Sequence, residues 1–85
     1  MTQPDVTRDV SALLDAGDGD MVRDLFEDLA AALGERRAAE MVREALTDYR
    51  IGGVLAGASL FAPNLRHARE LHAEMTARLG PDANG

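Results

Sequence analysis

The sequence predicts an all-α fold, a small bundle of about four helices with a central antiparallel helical hairpin. Three observations lead there. Apolar residues recur at steps of three and four along most of the chain, and glycine and proline fall between those periodic stretches. The third is composition: 46% of residues are hydrophobic but only 4% aromatic, so the core must come from Leu, Val, Met and Ala, which suit helix packing better than sheets.

The first helix is expected from about Pro4 to Ala16. Thr2 and Asp5 have capping-box spacing, and Val6, Val10, Leu13 and Leu14 make one narrow apolar face. The run Gly17-Asp18-Gly19-Asp20 then breaks the helix and offers Asp20 as the N-cap of the next. The second helix, about Met21 to Leu33, lines up Val22, Leu25, Phe26, Leu29 and Leu33, with Gly34 placed as its C-cap. The third, about Glu35 to Arg50, repeats Ala38, Val42, Ala45, Leu46 and Tyr49 with Met41 beside them. With almost no loop between them, helices two and three should pair as the hairpin.

Gly52 and Gly53 are expected to end or sharply bend the third helix, leaving Val54 to Ala62 as an apolar segment of undetermined conformation. Beyond Pro63, with Asn64 as N-cap, a final helix to Leu79 repeats Leu65, Ala68, His72, Met75 and Leu79 as a coiled-coil-like seam. Gly80 and Pro81 stop it. The expected organisation is one helical domain over residues 1–80 and a flexible C-terminal tail over 81–85.

Composition also narrows function. Without cysteine there is no disulfide framework, thiolate metal site or thiol nucleophile, and a reducing, cytoplasmic setting is the simplest fit. Met1 to Asp5 lacks the basic and apolar regions of a secretory signal, and Ile51 to Asn64 is too short and too rich in glycine to span a membrane. The net charge of −6 is unevenly placed. Residues 1–35 hold nine acids against Arg8 and Arg23, whereas residues 36–85 hold six acids against seven arginines. Such a division favours head-to-tail self-association or a charged partner.

Several constellations invite chemistry. Asp15, Asp18 and Asp20 sit on a glycine-rich turn, but counted from Asp15 the third, fifth and twelfth positions of a calcium loop fall on Gly17, Gly19 and Phe26, which supply no side-chain oxygen. His67 and His72 are five residues apart, about 140° around a helix, and cannot hold one metal as an i, i+4 pair does. With Glu70 and Glu74 they remain the metal candidates, across a dimer axis, but no cofactor is implied. Arg36, Arg43 and Arg50 form a stripe on the third helix, which Arg37, Arg66 and Arg69 extend, as a nucleic-acid surface would require; Glu40 and Glu44 interrupt it, so a salt-bridged, solvated face is the favoured reading. No nucleophile, base and orienting group share a spacing that would support catalysis.

The Gly-Ala-Ser-Leu stretch around Ser59 is similar to the serine motif of acyl carrier proteins. It lacks their aspartate, and Pro63 interrupts what would be their long second helix, so that family is set aside. The order Leu13-Leu14-Asp15-Ala16-Gly17-Asp18, Gly34, Gly52, Gly57 and a histidine resembles the helical cap that precedes cobalamin-binding domains. The tryptophan and glutamate–histidine signature of that cap are missing, and what is shared is a helical-bundle rhythm.

The function expected from these features is a small protein–protein interaction module, a homodimer or the accessory subunit of a larger complex. Gly53 and Gly57 form a GxxxG pair that permits close helix approach, and the contact residues expected are Gly53, Gly57, Leu60, Phe61, Leu65, His72, Met75 and Leu79. The partner is then a second copy or a larger protein. The alternatives are a transcriptional or nucleic-acid-binding regulator using Arg36, Arg43 and Arg50, and a metal- or cofactor-binding bundle.

Overall fold

A computed structural model describes residues 6–59 and 62–80. Four helices follow one another, α1 (Val6–Asp15), α2 (Gly19–Leu33), α3 (Glu35–Leu55) and α4 (Pro63–Leu79), with no strand among the described residues. The capping box at Thr2 to Asp5, the helical start at Pro4 and the 81–85 tail lie outside the described residues.

Each helix buries the face its periodicity sets. Val6, Val10 and Leu14 of α1, Val22, Phe26 and Leu29 of α2, and Ala38, Ala39, Val42, Ala45 and Leu46 of α3 meet Ala68, Leu71, Met75 and Leu79 of α4 in one core. Small alanines on α3 let neighbours approach closely, which suits a helix that packs on all three others. Arg23 of α2 pairs with Glu74 of α4 at 3.0 Å, and the Arg78 guanidinium lies 4.8 Å from the Phe26 ring centre. Exposed pairs of this kind contribute only about 0.2–1 kcal/mol each.

The boundaries differ from the sequence expectation in ways with physical causes. The α1–α2 turn is a Schellman motif: the Asp18 amide donates to the Leu13 carbonyl at 2.9 Å and the Gly17 amide to Leu14 at 3.0 Å, with Gly17 at φ 80°. That turn places Asp18, not Asp20, at the N-cap, and Asp20 pairs with Arg23 at 3.2 Å from inside the first turn. Gly34 alone joins α2 to α3. Its amide closes α2 on Ala30 and its carbonyl opens α3 by accepting from Ala38.

The largest correction concerns Gly52 and Gly53, which do not end α3: the helix runs through both to Leu55 and closes in a second Schellman turn, Ala58 to Gly53 and Gly57 to Val54, each at 3.0 Å. The stop is therefore Gly57, at φ 88°. The GxxxG pair splits into unlike roles. A Cβ at Gly53 would fall 2.7 Å from Leu65 Cδ2, so Gly53 admits the start of α4, whereas a Cβ at Gly57 would meet nothing within 4 Å. At α4, Pro63 takes the first helical position, where its fixed φ and missing N–H are tolerated, which moves the N-cap from Asn64 to Ala62.

Candidate functional site

Extending α3 beyond Arg50 creates a surface the sequence did not announce. Thr47, Arg50, Ile51, Val54 and Leu55 follow the i, i+3, i+4, i+7, i+8 pattern and so share one face, turned away from Val42, Ala45 and Leu46 in the core. Ile51 is 55% exposed, Val54 47% and Leu55 81%. Together with Thr47, Arg50 and His72 of α4 they line an open groove of about 440 Å³. Among the described residues no acidic side chain lines it. Arg43, one turn before Thr47, lies close enough to act electrostatically on His72, as does Arg50.

His72 is held below the usual histidine range, first by burial against these apolar neighbours and then by the Arg50 and Arg43 guanidinium groups. It is neutral at pH 7 and presents an imidazole rather than a cation. The patch is thus aliphatic at its centre with two arginines along one side.

A second groove, of about 310 Å³, lies between α1 and α2, with Leu13, Met21 and Leu25 as its apolar floor and Asp9, Asp24 and Asp28 on its rim. No basic residue lines it.

A third feature is a polar tie between three helices. The Asn64 amide donates to the Tyr49 hydroxyl, which donates to Asp15 Oδ1, both at 2.6 Å, while Asn64 Oδ1 accepts from the Leu65 amide at 3.1 Å. Burial, then the Asp15 hydrogen bond and the Asp15 charge, push the Tyr49 phenol up to about 12, with Asn64 opposing. A hydroxyl so committed on both sides is not prepared to serve as a nucleophile or base near neutral pH. Its role is to fasten α4 and α3 to the end of α1.

The residues singled out from sequence are dispersed. Leu65, Met75 and Leu79 are buried in the chain's own interior, so they are not available as contact surface; only His72 of that seam reaches the groove, and Leu71 takes the buried position beside it. Leu60 and Phe61 lie outside the described residues. Gly53 is covered by Leu65, and Gly57 closes a turn. Arg36, Arg43 and Arg50 do share a face of α3, and among the described residues none has an ion-pair partner within 4 Å. Arg37 pairs with Glu40 at 3.7 Å.

The four metal candidates are separated. His67 packs beneath Gly19 in a small pocket with Glu70, its Nδ1 buried without a hydrogen-bond partner among the described residues. His72 faces α3, and Glu74 is engaged by Arg23 and Arg78. Among the described residues no three His, Asp or Glu side chains converge as a metal ion would need. No helix there is long and apolar enough to cross a membrane.

Sequence periodicity alone does not mark Ile51, Val54 and Leu55 as one face, because a Gly-Gly pair ordinarily breaks a helix. Their spacing from Thr47 was the signal, legible only if the helix continues. Comparison of the chain with protein-family models, curated proteins and solved structures gives no match.

Proposed function

We propose that this chain is a helical protein–protein interaction module whose contact surface is the end of α3 together with the His72 flank of α4. One observation carries the reading: three large aliphatic side chains on adjacent turns stand half to four-fifths exposed around a single groove, whereas α2 exposes Met21 and Leu33 at its two ends. Fully covering a Val, Leu or Ile side chain is worth about 1.5–3 kcal/mol, so covering what these three leave open recovers several kcal/mol before the cost of association. Arg50 lines this surface and Arg43 lies beside it. An aliphatic centre beside arginines suits a protein partner better than a phosphate backbone, which offers such a centre nothing to bury.

The test is native mass spectrometry of the protein isolated from its own host, wild type against Leu55→Glu. Because Leu55 is 81% exposed, the substitution leaves the fold intact, as circular dichroism would verify. Wild type is expected above the mass of one chain, as a homo-oligomer or with a companion, and Leu55→Glu at the mass of one chain. A wild-type protein that is a single chain up to about 1 mM, with no companion, would end the proposal.

A further inference from the structure

The two apolar grooves are opposite in charge and share no residue. The α3–α4 groove carries Arg50 and His72 with Arg43 behind them and has no acid in its lining; the α1–α2 groove carries Asp9, Asp24 and Asp28 and has no base. Among the described residues neither Arg43 nor Arg50, nor any of the three aspartates, is engaged in an ion pair within the chain. Of the large hydrophobic side chains left exposed among the described residues, Ile51, Val54 and Leu55 belong to the first groove and Met21 to the second, with only Leu33 standing apart.

We infer that the occupant of the α3–α4 patch is the α1–α2 groove of a second copy of this chain, a head-to-tail contact in which Ile51, Val54 and Leu55 cover Leu13, Met21 and Leu25 while Arg43 and Arg50 meet Asp9, Asp24 and Asp28. The inference rests on the patch being a contact surface, as proposed above, and adds its partner. Charge explains why the contact is between unlike faces. Joining patch to patch sets four arginines against one another, and joining groove to groove sets six aspartates together, whereas patch to groove pairs two cations with three anions over matched apolar floors. The division of charge along the sequence, a strong excess of acid in residues 1–35 and near balance thereafter, runs in the same direction. A contact between unlike faces leaves one free groove and one free patch on each pair, so it propagates unless the geometry closes it. Each face is small, which sets the expected association at micromolar or weaker.

The experiment uses the full chain and two surface variants. Leu55→Glu disables the patch and leaves the groove; Asp24→Arg with Asp28→Arg disables the groove and leaves the patch, all three positions being exposed. By sedimentation velocity at low ionic strength, wild type is expected to gain mass with concentration and each variant alone to remain one chain. An equimolar mixture of the two variants is expected to form a species of two chains, because one intact patch meets one intact groove. Raising the salt from about 50 to about 500 mM weakens the wild-type association roughly tenfold. A groove variant that still self-associates, a mixture that stays at one chain, or a wild-type protein that is one chain up to about 1 mM overturns the inference. Should wild type be one chain alone yet carry a companion from its host that Leu55→Glu loses, the contact surface stands and the second copy as its occupant falls.

Discussion

Two adjacent glycines on α3 should respond to the same substitution with opposite sign. Gly52 and Gly53 both lie inside the helix, where alanine is favoured over glycine by about 0.8–1 kcal/mol. At Gly52 a Cβ meets no heavy atom within 4 Å, so Gly52→Ala should realise most of that gain, about 0.5–1 kcal/mol this near the helix end. At Gly53 the same Cβ stands 2.7 Å from Leu65 Cδ2 and 3.4 Å from its Cγ and Cδ1. Leu65 is 4% exposed and its methyl must give way, through an unfavourable rotamer or a shift of α4, at about 1–3 kcal/mol. Gly53→Ala therefore comes out destabilising by about 0–2 kcal/mol. Urea unfolding followed by far-UV circular dichroism resolves the two, and the thermal midpoints should separate by several degrees, since 1 kcal/mol moves a domain of this size by about 4–8 °C. In a Leu65→Ala background the penalty at Gly53 should vanish, a coupling of about 1 kcal/mol or more. Equal shifts of one sign at both positions would refute the close approach of α4, and no gain at Gly52 would refute the continuation of α3.

Two further predictions concern ionisation. Tyr49 is the only tyrosine, so ultraviolet absorbance titrates it alone and should place its ionisation near 12; Asp15→Asn should bring it down toward 10. Because the folded value is raised, the contribution of Tyr49 to stability is complete below pH 10 and is lost as pH rises from 10 through 12, and an ionisation near 10 in the native protein would exclude the Asp15 tie. His72 has the opposite sign of effect: its folded value is lowered, so the unfolded chain binds the proton first and stability falls as pH drops below about 6.5, levelling off once the folded value is passed. His72→Gln should remove that part of the acid sensitivity and Arg50→Gln should reduce it, as read from urea midpoints between neutral and acid pH; identical pH profiles for wild type and His72→Gln would contradict the burial and charge assigned to this ring.

Much of the fold was legible because its signals are local. Val22, Phe26 and Leu29 on α2, and Val42, Ala45 and Leu46 on α3, are core residues that a 3.6-residue period identifies without knowledge of their neighbours. Where the reading failed, a tertiary contact or a choice between adjacent residues decided the outcome. Glycine disfavours helix, and the sequence does not reveal that Leu65 will arrive over Gly53 and need that space. On α4 a strict three-four alternation selects His72, but positions 71 and 72 both flank the buried stripe. Leu71 is buried without needing a hydrogen-bond partner, whereas an unpartnered imidazole costs free energy to bury, so the leucine enters the core and the histidine stays at its edge. Tyr49 was legible as a half-buried helix residue, but its tie to Asp15 and Asn64 joins positions 34 and 15 residues away.

The core and the proposed surface are not independent, and Leu65 shows why. Its side chain seated on Gly53 holds the last turn and a half of α3 against the start of α4, which fixes the distance from Ile51 and Val54 to His72 and so shapes the groove between them. A residue that shapes the proposed surface can therefore be one that lies beneath it. An 85-residue chain has little apolar surface to spare, and the last fully buried residue of α3 is Leu46, with Arg50 one turn beyond it as the end that sequence periodicity expects. Instead the helix is carried five residues further, through two glycines that weaken it, to present Ile51, Val54 and Leu55 to solvent. Packing of Gly53 against Leu65 accounts for carrying the helix past Arg50 but not for the aliphatic side chains of Ile51, Val54 and Leu55 left open there, and covering those is what the proposed partner adds.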